Sequence, residues 1–214
     1  MFEKLRKHKL LKIAGYVIII LFIVSLFNNF FLYVSLSDGS INPLKTNMIT
    51  STITDIIALI LFFGFLKLGK LTKNKYVIIG SWLLLIDFLL GFIIFDISKL
   101  SGSNIIYISL YEIHHLTPVF ITLIPGALAS ILVGMGLYRV MNIRFTKVTG
   151  LLEIFLGISF LLSLIFFFLP QEVLNVMIKW SLNPISLILG FVFSLVYTYF
   201  VSSMFFHASK KFET

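Results

Sequence analysis

Residues Lys4 to Tyr33 read KLRKHKLLKIAGYVIIILFIVSLFNNFFLY, a cluster of basic side chains running into a long apolar stretch. A helix rises ~1.5 Å per residue and the hydrocarbon core of a bilayer is ~30 Å thick, so about twenty apolar residues cross it once. A secretory signal would break at a small-residue cleavage site after a shorter apolar core, and no such break interrupts this run. The segment therefore reads as a retained first span, with its basic flank on the cytoplasmic side.

The same test applied along the chain gives six spans, near Leu10–Tyr33, Ile49–Leu66, Tyr76–Phe95, Thr117–Val140, Val148–Leu169 and Leu182–Phe206. Cytoplasmic segments retain Lys and Arg during insertion, which provides an independent check on the layout. Lys4, Arg6, Lys7, Lys9 and Lys12 precede the first span, and Lys67, Lys70, Lys73 and Lys75 join the second to the third. Arg139, Arg144 and Lys147 join the fourth to the fifth, and Lys210 and Lys211 follow the sixth. Of the 17 basic residues only Lys45, Lys99 and Lys179 fall on the other side. Five or seven spans would scatter these charges over both faces. The expected fold is thus all-α, a polytopic membrane bundle of six transmembrane helices forming one domain over residues 1–214, both termini cytoplasmic, in the cell membrane.

Composition agrees with that placement. The 214 residues are 59% hydrophobic and 12% charged, with a mean hydropathy of +1.06. Too few polar side chains remain to cover a water-soluble surface, so the lipid bilayer is the first partner. The formal charge of +8 is distributed as span flanks, which argues against a nucleic-acid partner. There is no cysteine, which excludes thiol nucleophiles, disulfide exchange and thiolate metal sites. No cofactor is expected, since no histidine pair faces another across the bilayer and no phosphate-binding glycine loop is present. Gly-x-Ser-x-Gly and His-Glu-x-x-His are absent too, so the chain does not read as an enzyme.

Of the three outer connections, Ser35–Met48 carries the turn pairs Asp38-Gly39 and Asn42-Pro43. Ser101–His115 contains an apolar stretch, and Gln171–Trp180 has the spacing of a short interfacial helix. A faint repeat runs through the outward-going spans, each opening with Lys then Gly: Lys12 and Gly15, Lys75 and Gly80, Lys147 and Gly150.

Helices in lipid associate through close packing of small residues. Gly126, Ser130 and Gly134 form one such stripe on the fourth span, and Ser186, Gly190 and Ser194 another on the sixth. Both are expected to look inward, or to dock a membrane protein partner.

Two acids stand inside the spans. Asp87 lies roughly 16 Å beyond Tyr76, near the bilayer midplane, and shares a helical stripe with Gly80 and Gly91. A carboxylate at a helix centre costs roughly 2.5 to 3.5 kcal/mol on insertion scales, so Asp87 needs an interior position, a partner or a proton. Glu153 lies about 9 Å in from the cytoplasmic end of the fifth span, on a stripe with Gly150 and Gly157. Asp87 and Glu153 are the candidate ligand- or proton-binding groups. Arg139 ends the fourth span on the same side and is the candidate ion-pair partner of Glu153.

At the outer boundary Asp55, Asp96, Glu112 and His115 form a polar rim, beside His114. Glu112 and His115 share a helix face at the spacing of carboxylate-bridged metal sites, but those sites need two copies and the chain has one, so no metal is assigned. His8 and His207 fall at the cytoplasmic ends and read as surface residues.

Lys12-Ile-Ala-Gly15 opening the first span, a His near the outer end of the fourth, and Gly136-Leu-Tyr-Arg139 followed by Thr149-Gly150-Leu-Leu resemble an uncharacterised prokaryotic family of six-span integral membrane proteins of about two hundred residues. The resemblance follows most of the chain in order and implies an architecture, without residue roles. The functional expectation is a transport-related protein: a small-solute or proton-linked carrier, or the substrate-binding membrane subunit of an importer. The alternative is a non-catalytic accessory or sensor subunit of a membrane complex.

Overall fold

The computed structural model describes residues 2–38, 59–91, 116–166 and 184–213, and every regular element among them is helical. These are α1 (Phe2–Asp38), α2 (59–71), α3 (Lys75–Gly91), α4 (Leu116–Arg139), α5 (Thr146–Phe166) and α6 (Pro184–Glu213). The chain is all-α there. Among the described residues, two segments are long and apolar enough to cross a membrane by themselves, Lys9–Phe27 at mean hydropathy 2.6 and Ile188–Glu213 at 1.8. The polar rim of Asp55, Asp96, Glu112 and His115 lies outside the described residues, as do most of the outer connections.

At their basic ends the helices outrun the spans read from hydropathy. The first starts at Phe2 and the last continues to Glu213. Lys and Arg are good helix formers, so the backbone ladder continues past the point where the apolar run stops.

The turn between α2 and α3 shows how tightly that end is built. Asn74 N–H donates to the Gly69 carbonyl and Lys73 N–H to that of Lys70, at 2.9 and 3.3 Å. This is a Schellman ending, with Lys73 at φ 53° in the left-handed position that usually holds glycine. Asn74 then caps α3. Its Oδ1 accepts from the backbone N–H groups of Tyr76 and Val77 at 3.1 and 3.3 Å, while its Nδ2 donates across to the Gly136 carbonyl of α4 at 2.8 Å.

Packing follows small residues. A Cβ on Gly64 of α2 would come within 2.6 Å of the Ala14 Cβ on α1, and one on Gly15 within 2.8 Å of the Phe206 ring on α6. On the other side α3 packs on α4 and α4 on α5, with α5 touching α6. Leu11, Leu68, Val77, Val133, Leu137 and Phe205 are fully enclosed where these groups meet. The outward faces stay apolar: Phe27, Trp82, Phe155 and Leu189 are 60%, 50%, 57% and 64% exposed.

Of the α6 stripe, Ser194 is half-buried, whereas Gly190 faces outward. Gly190 is exposed, and among the described residues no neighbouring helix comes within 4 Å of where its Cβ would sit. The enclosed face of α6 lies further along, at Val201, Met204, Phe205 and Ala208. Small residues permit close approach, but the bulky ones at the basic end have the neighbours that make burial favourable.

Candidate functional site

The site is built on the crossing of α4 and α5. A Cβ on Gly150 would fall 2.6 Å from the Gly134 carbonyl oxygen, and one on Gly157 the same distance from the Ala127 carbonyl oxygen. Backbone therefore meets backbone along the stripe that also carries Glu153, and the acid is only 5% exposed. Two hydroxyls reach it. Tyr197 of α6 donates to Glu153 Oε1 at 2.6 Å, and Ser130 of α4 supplies a second hydrogen bond. One carboxyl thus ties three helices together.

Asp87 meets α4 one turn away. A Cβ on Gly126 would come within 2.9 Å of its Oδ2 and 3.1 Å of its Cγ, so the carboxyl occupies the space that Gly126 leaves open. Gly80, on the same stripe of α3, packs against Val133 and the Ala129 carbonyl. This orients the Asp87 stripe toward α4, where the side chain is half-buried. Pro125, inside α4 beside Gly126, has no N–H to give the preceding turn, which leaves a carbonyl there without its helical donor.

Both acids therefore converge on one stripe of α4: Asp87 at Gly126, and Glu153 at Ser130. Arg139 is elsewhere. Its guanidinium carbon lies 4.6 Å over the Tyr76 ring at the exposed end of α4. The ion pair expected with Glu153 is replaced by two neutral donors, because reaching the acid would draw the guanidinium off that exposed end into the closed crossing. His207, read as a surface residue, is half-buried, with Nδ1 2.8 Å from the Ser203 carbonyl and its ring edge-on to Phe145. Among the described residues no three of His, Asp and Glu gather in a way that could hold a metal.

Tyr197 was not singled out by the sequence. A signal was available, since it stands four residues before Val201 on the enclosed face of α6, and a buried phenol needs a partner. Asn74 was also missed, although an asparagine directly before an apolar run is a cap signature.

A carboxyl between two hydroxyls, without an adjacent cation, can exchange a proton or bind a polar solute in place of a hydroxyl. No family model, curated protein or solved structure matches the chain.

Proposed function

We propose that the chain is a six-span protein of the cell membrane with both ends in the cytoplasm, and that it is transport-related: a small-solute or proton-linked carrier, or the substrate-binding membrane subunit of an importer. The observation that carries this reading is the Glu153 carboxyl held between Ser130 and Tyr197. Intramembrane acids are costly and mark ion or solute paths by default. Asp87 of α3, which faces Gly126 one turn from Ser130 on α4, gives such a path a second polar stop. The charge distribution over the loops and the resemblance to six-span prokaryotic proteins support the topology.

The test is flux. Proteoliposomes holding a pH-sensitive dye are challenged with a panel of small polar metabolites under an imposed pH gradient. A metabolite-dependent dye response is expected, lost in Glu153→Gln and weakened in Asp87→Asn. A response unchanged in both variants would overturn the assignment of the site.

The second reading, an accessory or sensor subunit, is favoured by the exposed Gly190 on α6, which no neighbouring helix among the described residues covers. It predicts that Gly190→Leu leaves the isolated protein folded but strips a membrane partner from it during native purification.

A further inference from the structure

The described residues at the basic end line an open cleft of about 690 Å³, formed by the α2–α3 turn, the α4–α5 loop and the last turn of α6. We propose that this cleft binds a phosphate-bearing anion, presented by an anionic phospholipid headgroup or by a soluble phosphate. This goes beyond the reading of Glu153 and rests only on the chain lying in a membrane.

Four cations line it, Lys73, Lys75, Arg139 and Lys211, and no acid does among the described lining residues. Span flanks are basic in any membrane protein, so charge alone would decide nothing. The arrangement adds more. Arg139 sits with its guanidinium carbon 4.6 Å over the Tyr76 ring, and its planar guanidinium can offer an N–H fork to an oxyanion. Lys73 occupies the left-handed position of the Schellman turn, where glycine would be less strained. Asn74 fixes that turn to α4 through the Gly136 carbonyl, and Lys211 Nζ donates to the Asn142 carbonyl at 2.5 Å, closing the third side. The turn that carries Lys73 and Lys75 is thus fixed against α4, and all four cations are exposed to the cleft. The volume lies in the range of ligand sites, about 300 to 1,000 Å³, and exceeds what bare phosphate fills. Basic pockets between membrane helices on this side are suited to anionic headgroups.

The experiment titrates the full-length protein in neutral detergent with short-chain phosphatidylglycerol, short-chain phosphatidylcholine and inorganic phosphate separately, and follows bound species by native mass spectrometry. Phosphatidylglycerol or phosphate is expected to bind at least about tenfold more tightly than phosphatidylcholine, since each charge-assisted contact contributes about a factor of ten. Preference for the lipid alone identifies a headgroup; binding of phosphate alone identifies a soluble ligand. Lys73→Gln/Arg139→Gln should lose the preference, and Lys75→Gln alone should lose about tenfold. Lys9→Gln/Lys12→Gln removes the same charge outside the cleft and should change nothing. Equal affinity for all three probes, or equal loss in the control pair, would overturn the proposal.

Discussion

The Tyr197 hydroxyl donates a 2.6 Å hydrogen bond to Oε1 of Glu153, across 44 residues of chain and between two helices. With the Ser130 hydroxyl on the same carboxyl, it makes the enclosed acid a junction of α4, α5 and α6. Interhelical hydrogen bonds in membranes average only about 0.6 kcal/mol, whereas bonds to ionisable groups reach roughly 1.5 to 3 kcal/mol. The pair is therefore measurable, yet unlike the backbone crossing of α4 and α5 it is not required to hold the helices together.

Tyr197→Phe removes one hydroxyl and nothing else, so it should destabilise the protein by about 0.6 to 2 kcal/mol. Combined with Glu153→Gln, the two losses should fall short of adding, with a coupling of at least about 0.5 kcal/mol. Reversible unfolding in mixed micelles reads both. Additivity within about 0.3 kcal/mol would mean the bond contributes nothing.

Gly150 and Gly190 are predicted to behave oppositely. A Cβ on Gly150 would meet the Gly134 carbonyl oxygen at 2.6 Å and the Tyr138 nitrogen at 2.7 Å, both backbone atoms that cannot rotate away. Gly150→Ala must push α4 from α5, at a cost of about 1 to 3 kcal/mol. Gly190→Ala meets nothing within 4 Å and gains helix propensity, so it should be neutral or stabilising by up to about 1 kcal/mol. Thermal midpoints in one detergent suffice for the comparison, and equal shifts would contradict the packing described.

What the sequence made legible was local and what it hid was between helices. The helical state and the small-residue faces of Asp87 and Glu153 follow from hydropathy and spacing within one helix. The partner of Glu153 does not, because Tyr197 arrives from a helix whose rotation is set by Val201, Met204 and Phe205 at its far end. Arg139 misled for the same reason. It ends α4 on the side from which it could reach Glu153, but Tyr76 from α3 offered its guanidinium an aromatic face without desolvation. The stripe at Gly190 had the right spacing, and spacing alone does not supply a neighbour.

Topology can be read cleanly because the chain has no native cysteine. Single cysteines at Lys70 and Lys211 should resist a membrane-impermeant maleimide on intact cells and react after lysis. Cysteines at Ser40, Ser103 and Glu172 should react on intact cells. Labelling of position 70 from outside would invert or break the six-span layout.

The most direct test of the central claim, that Glu153 is the group the protein uses to exchange a proton, is infrared difference spectroscopy on the protein in vesicles stepped between acidic and alkaline buffer. A carboxyl carbonyl band should appear and disappear with the step, be absent in Glu153→Gln, and shift in frequency in Tyr197→Phe, where one donor is lost. A difference spectrum that Glu153→Gln leaves unchanged would show that Glu153 does not titrate and would contradict the account.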